Sequence, residues 1–350
     1  MSGKSTLIGR VENGRLLKRI LQSPAAVTLC FFLLAGCSQK PAVERVDSLY
    51  EQANAAFREK RFEEAERLAL KSATIAKESL PAHIGRIAEA FQLAGQSAAV
   101  LRDDDRAFKH FQSAIAVLDK DRHPLEWSRL WFAVSFIHVN RGHYAEAEPI
   151  LRQVIVSFRE HLGTEDSETI QARAEFGNAL YAQGKYVEAE TELRAVLTIS
   201  ERVHGAQSVE AAGARMHLAR VLTAQQRYVE AKGESQSAFA AFERFYGPTN
   251  GATVNARLVL ADALEGQENF QAAEKHLREL LALRQSVRDT EYRGWAMLSY
   301  RLAVCLKKQG KRAEARSLAQ QAVEEIRRTY GPTHPFTEDA NRLVRELWLE

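Results

Sequence analysis

The chain has 350 residues, is 45% hydrophobic and 27% charged, and holds only 8 Pro, 19 Gly and 3 Cys, which excludes a disordered, collagen-like or disulfide-stapled protein. Its formal charge of +3 is concentrated in residues 1–36, where Lys4, Arg10, Arg15, Lys18 and Arg19 face Glu12 alone. Beyond residue 36 there are 43 basic and 44 acidic side chains, so the electrostatic footprint of a nucleic-acid binder is missing.

The basic stretch ending at Arg19 leads into an apolar run at 25–34, AAVTLCFFLL. A membrane-spanning helix needs about 20 apolar residues, whereas the apolar core of a secretory signal needs roughly 7–15. The next residues, Leu34-Ala35-Gly36-Cys37, resemble the lipobox of bacterial lipoproteins. That resemblance implies a cleaved signal peptide at 1–36 and a lipidated Cys37 at the start of the mature chain. Ser38 after the Cys implies sorting to the outer membrane, with a lipid anchor facing the periplasm. Two or more acyl chains hold a protein stably to a bilayer, where one does not. Residues 37–45, with Pro41 and no apolar periodicity, read as the lipidated Cys and a short tether. Cys30 then leaves with the signal, and Cys305, in the apolar stretch 302–306, reads as a core thiol.

From 46 onward one phrase recurs, an aromatic followed three residues later by Ala: Phe62 to Ala65, Tyr144 to Ala147, Tyr186 to Ala189, Tyr228 to Ala231 and Phe270 to Ala273, with weaker copies at Ala107 and Ala315. The alanines stand at 65, 107, 147, 189, 231, 273 and 315, every 42 residues apart from one step of 40. Twelve residues before each lies a small residue: Ala53, Gly95, Ser135, Gly177, Ala219, Ala261 and Ala303. Apolar residues at i, i+3, i+4 and i+7 and the lack of strand-like alternation predict helix pairs packed closely through these small residues, with the aromatic plugging the bend. Gly163, Gly205, Gly247 and Gly331 sit where a helix C-cap needs a left-handed residue, with Asp289 at the equivalent place in the sixth copy.

This pattern resembles the tetratricopeptide repeat, in the longer 42-residue form of kinesin light chains. The resemblance implies an all-α, right-handed superhelical solenoid of about seven helix–turn–helix units over 46–325. A C-terminal capping segment follows at 326–350, with Leu343, Leu347 and Trp348 expected on one side.

No catalytic constellation emerges. Ser2-Gly3-Lys4-Ser5-Thr6 imitates a phosphate loop without its upstream glycine or strand, and no zinc-protease, Cys-cluster or nucleophile-elbow spacing occurs. Glu63, Glu64, Glu146, Glu148, Glu188 and Glu190 read as a solvated, dipole-favoured helix start. Arg173, Arg215 and Arg257 recur at 42 residues and read either as a partner-binding ladder or as stems packed between helices and paired to Glu188, Glu230 or neighbouring backbone carbonyls.

The family resemblance places a partner-binding groove on the first helix of each repeat. Its candidates here are Phe132, Phe136, Asn178, Met216, Arg220, Leu258, Asp262 and Tyr300, unless these pack between repeats. Kinesin light chains hold paired Asn there; Ala174-Glu175, Met216-His217 and Leu258-Val259 depart from that, so kinesin cargo specificity is not implied.

The expected protein is a non-catalytic, membrane-anchored scaffold or adaptor lipoprotein holding a protein or peptide partner for envelope assembly, secretion or pilus biogenesis. A soluble cytosolic regulator and an accessory subunit of an envelope polysaccharide enzyme are the alternatives. No cofactor, metal, nucleic acid or small-molecule substrate is expected. Charge reversal at Arg220 is expected to weaken partner binding without melting the array.

Overall fold

The computed structural model describes residues 24–286 and 293–349, and these form fifteen α-helices and one 3-10 segment with no strand. Seven repeats follow in order: α1 (Pro24–Arg58) with α2 (Phe62–Ser79), α3 (Ile84–Val100) with α4 (Asp104–Ile115), α5 (Pro124–Asn140) with α6 (Tyr144–His161), and α7 (Ser167–Ala182) with α8 (Tyr186–His204). Then come α9 (Val209–Ala224) with α10 (Tyr228–Tyr246), α11 (Gly251–Gly266) with α12 (Phe270–Ser286), and α13 (Leu298–Lys308) with α14 (Arg312–Tyr330). The 3-10 segment Arg293–Met297 precedes α13, and α15 (Pro335–Leu349) closes the chain. Two compact bodies divide this array, one ending at Leu130 and one beginning at Trp131.

Each recurring Ala is fully buried, and so are the small residues twelve positions earlier. Their partners explain why. A Cβ on Gly95 would lie 2.7 Å from the Phe111 ring, and one on Gly177 would lie 2.7 Å from Leu193. The small residue therefore makes room for the large side chain one turn beyond the Ala, so that the paired helices approach closely. The bend aromatic does part of its packing onward: the Tyr228 ring presses on Gly266 of the following repeat.

All seven turns inside the repeats share one geometry. A residue at positive φ stands at 60, 102, 142, 184, 226, 268 and 310, and the next N–H reaches back to a carbonyl five residues earlier, as from Lys185 to Leu180 at 3.0 Å. This is the Schellman helix stop, which satisfies two orphan carbonyls. Between repeats the chain restarts on side-chain caps, Asp166, Ser208 and Asn250, again 42 residues apart. Gly205, Gly247 and Gly331 do have positive φ, yet their ψ of 153°, 171° and 166° is extended rather than left-handed helical. That region is open to Gly almost alone.

Two boundaries and one helix face differ from expectation. The segment 37–45 is not an irregular tether but continues α1, with Pro41 inside it, because Ala42 and Val43 pack against Ala76, Leu80 and Ile87. The last helix of the array runs to Tyr330 rather than 325. In α15 Leu343 and Leu347 are buried, but Trp348 is 60% exposed, with the Arg316 guanidinium 5.3 Å from its ring. Neighbouring helix residues point about 100° apart, so Trp348 cannot share the face of Leu347. Residues 1–23, the side chain of Cys37, and Asp289 lie outside what is described. Cys305 is buried in the core with its Sγ 3.4 Å from the Phe270 carbonyl, and burial aided by the Glu265 charge pushes the thiol up to about 11. No helix among the described residues is long and apolar enough to cross a membrane.

Candidate functional site: the inner face of the C-terminal body

Which helices touch defines this face. Within residues 131–349, α7 packs on α9 and α9 on α11, whereas the second helices of successive repeats barely meet. Through α7, α9 and α11 the first helices therefore form the inner, crowded layer. Phe132 and Phe136 on α5, Asn178 on α7, Met216 and Arg220 on α9, Leu258 and Asp262 on α11, and Tyr300 on α13 hold equivalent positions along it.

All of these except Leu258 are half-buried. Phe132 and Phe136 meet edge to face with centroids 4.9 Å apart. Arg220 donates to Asn178 Oδ1 at 2.8 Å, across the junction of the fourth and fifth repeats, and lies 4.7 Å from the Tyr181 ring centre. Asp262 accepts from Arg301 at 2.6 Å, across the sixth and seventh. Leu258 belongs to the core instead, 8% exposed and clustered with Leu260, Leu264 and Trp295. The irregular 3-10 segment brings Trp295 against α11, which no repeat-based alignment anticipates.

Burial sets the electrostatics of this face. It raises Glu175, although Asn178 and Arg220 pull the other way. It raises Asp262 despite Arg301, Arg220 and Lys308, and with the charge of Asp262 it carries Glu265 up to about 7. Glu265 is 8% exposed, with the Lys308 ammonium 3.5 Å away. Burial and the nearby Arg220 lower His217 to about 3, so its imidazole is neutral at physiological pH. The face thus alternates fixed polar groups with apolar and aromatic surface. It presents oriented hydrogen-bond donors and ring faces, and no nucleophile held against a base. Among the described residues no group of His, Cys, Asp or Glu is arranged to hold a metal ion.

The repeating arginines do not reach into this face. Arg173 pairs with Glu192, Arg215 with Glu201 and, at 3.4 Å, Glu234, and Arg257 with Glu279 and, at 3.3 Å, His276 Nδ1. Their side chains are 18%, 14% and 10% exposed, so the packed reading holds; Glu192 and Glu234 lie one helical turn beyond the expected Glu188 and Glu230, and Arg215 also donates to the Ala206 carbonyl.

Glu148 and Glu190 are not solvated as expected. Glu148 accepts from Arg152 at 2.8 Å on its own helix, and from Gln183 at 2.8 Å and Lys185 at 2.6 Å in the following repeat. Glu190 accepts from Arg194 at 2.8 Å and Arg227 at 2.7 Å. Glu274 repeats the arrangement with Arg278 at 2.8 Å, Gln309 at 2.9 Å and Lys311 at 2.7 Å. Lys185 and Arg152 hold Glu148 at about 2, and similar donors outweigh burial to hold Glu190 and Glu274 there too. Gln183, Gln225 and Gln309 are the sequence trace of this ladder; Gln267 keeps the 42-residue spacing but bonds the Tyr228 carbonyl at 2.9 Å, because Lys232 stands where the other repeats have the Glu.

Comparison with known proteins agrees with this architecture. One tetratricopeptide-repeat model matches 134–168, 169–210 and 299–336, and a second matches 210–286. A tetratricopeptide repeat protein from Parabacteroides merdae superposes with a TM-score of 0.60 at 13% identity, covering 87% of this chain and 99% of that one. A Rap protein complexed with competence and sporulation factor gives 0.54 at 13% identity, over 87% and 98% of the two chains. BtubC (BKLC) from P. vanneervenii gives 0.50 at 16% identity, over 68% and 94%. No curated protein matches this chain in sequence. The repeat matches together span more than half of the 350 residues, and the chain belongs to the tetratricopeptide-repeat family.

Proposed function

We propose that the protein is a non-catalytic scaffold, anchored by lipid at Cys37 to the outer membrane and facing the periplasm, that holds an extended peptide of an envelope protein on the inner face of residues 131–349. The observation that carries the binding half is the Asn178–Arg220–Tyr181 arrangement, in which a half-buried guanidinium is clamped on one side by an amide at 2.8 Å and on the other by a ring. A donor fixed in this way loses little freedom when a peptide carbonyl or carboxylate arrives. The Rap protein complexed with competence and sporulation factor shares the fold and supports the same use of it. The anchoring half is supported by the order of basic stretch, short apolar run and Leu34-Ala35-Gly36-Cys37.

Charge reversal at Arg220 is the wrong test, because Glu175 and Asp262 lie close enough to feel its charge and a third acid would unsettle the helices. Arg220→Gln is the better variant. It is expected to weaken capture of the native envelope partner at least about tenfold, with circular dichroism unchanged; unchanged capture contradicts the groove. Labelling cells with radioactive palmitate is expected to mark the wild type and not Cys37→Ala, and label retained in the variant contradicts the anchor.

A further inference from the structure

The second helix of the second repeat breaks the pattern. α4 has 12 residues where its counterparts have 17 to 19, and the chain takes 116–123 to reach α5. Asp119 folds that link: its carboxylate accepts from the N–H groups of Asp121 at 2.9 Å and Arg122 at 3.3 Å, and its carbonyl from that of His123 at 2.9 Å. Link, α1 and α3 together wall a cleft of about 800 Å³, wholly within the N-terminal body. That size suits a side chain with flanking backbone rather than a bare ion.

The charges in the cleft are unequal. Four carboxylates, Asp47, Glu51, Glu89 and Asp119, face two guanidinium groups. Arg86 is turned toward Asp47, giving Nε and Nη2 to it at 2.6 and 3.0 Å with His83 Nδ1 3.3 Å from Nη1, while also feeling the charge of Glu89, and Arg122 lies 3.9 Å from Asp119. Glu51 on α1 and Glu89 on α3 are exposed and make no hydrogen bond or ion pair among the described residues. Tyr50 stands with them, half-buried, its hydroxyl raised above the usual phenol range by burial, with the charges of Glu89 and Glu51 adding to the effect. An aromatic ring beside two unpaired carboxylates is the chemistry that receives a cation, and an anion would meet a net negative wall.

We propose that this cleft binds an arginine or lysine side chain on an extended peptide, the cation lying against Tyr50 and donating to Glu51 and Glu89. The inference does not rest on the inner face of the C-terminal body. It is tested on the full chain by fluorescence anisotropy with fluorescein-labelled acetyl-Ala-Ala-Arg-Ala-Ala-amide and its Glu and Gln counterparts. The arginine peptide is expected to bind at least about tenfold tighter than either, and to weaken with salt. The Glu51→Gln/Glu89→Gln double variant, both sites being exposed, is expected to keep its helicity and lose at least about tenfold in affinity. Glu63→Gln, an exposed site outside the cleft, is expected to bind as the wild type does. Free arginine amide is expected to compete only weakly, since it lacks the flanking chain. Equal binding of the three peptides, no saturation by millimolar arginine peptide, or an unaffected double variant overturns the proposal.

Discussion

Seven turns place a residue at left-handed φ, yet only Gly142, Gly184 and Gly310 are glycines there; Lys60, Arg102, Gln226 and Glu268 hold φ between 59° and 62° against their own Cβ. A left-handed L-residue costs roughly 1–2 kcal/mol, offset in part by the greater unfolded freedom of Gly. Gln226→Gly is therefore expected to stabilise by up to about 1 kcal/mol, and Gly184→Ala to destabilise by about 1 kcal/mol. Gly205 sits at φ 92° and ψ 153°, where no L-residue is comfortable, so Gly205→Ala should cost more, roughly 1–3 kcal/mol. Urea denaturation of the three variants checks the order, and a Gly205→Ala milder than Gly184→Ala would sink it.

At the scale of the helix pair, what decides a substitution is the space beside the first helix. Gly177 has Leu193 at 2.7 Å from where a Cβ would sit, and Gly213 on α9 has nothing within 4 Å. Gly177→Ala is expected to destabilise by about 1–3 kcal/mol through overpacking, whereas Gly213→Ala gains about 0.5–1 kcal/mol of helix propensity. Thermal melts of the two differ in sign if the account holds and agree in sign if it does not. The helix pairs were legible in the sequence because the 42-residue step of Ala65, Ala147, Ala189 and their kin states which faces meet. The ladder through Glu148, Glu190 and Glu274 was not, since its donors lie 35 to 37 residues away in the next repeat, beyond any single-helix pattern. Leu258 was misplaced for a related reason: its neighbour Trp295 comes from the 3-10 segment that precedes α13, outside the repeating pattern. Half of the groove's polarity, in Glu175, Glu265 and Arg301, also went unread, because only burial makes those charges matter.

At the scale of the C-terminal body, three of the repeat junctions are tied by charge, and this gives stability a predictable pH profile. Glu148, Glu190 and Glu274 titrate at about 2 when folded against 4.5 otherwise. Their contribution, roughly 1–3 kcal/mol each, is complete above pH 4.5 and is lost as pH falls toward 2. Glu265 has the opposite sign: raised to about 7, it stays protonated while the unfolded chain ionises, so its penalty grows between pH 4.5 and 7 and is full above. Glu265→Gln should accordingly stabilise by about 1–3 kcal/mol at pH 8 and change nothing at pH 4, as chemical denaturation at the two pH values will read. The central claim, that the inner face of residues 131–349 holds a protein partner, is tested most directly by photo-crosslinking in the native cell. Probes belong at Met216 and Tyr300, half-buried on that face, with Val229, exposed on the second-helix side, as the control. The account predicts one envelope protein captured from both inner positions and not from Val229. Membrane-bound protein giving no inner-face adduct, or the same adducts from Val229, would contradict it.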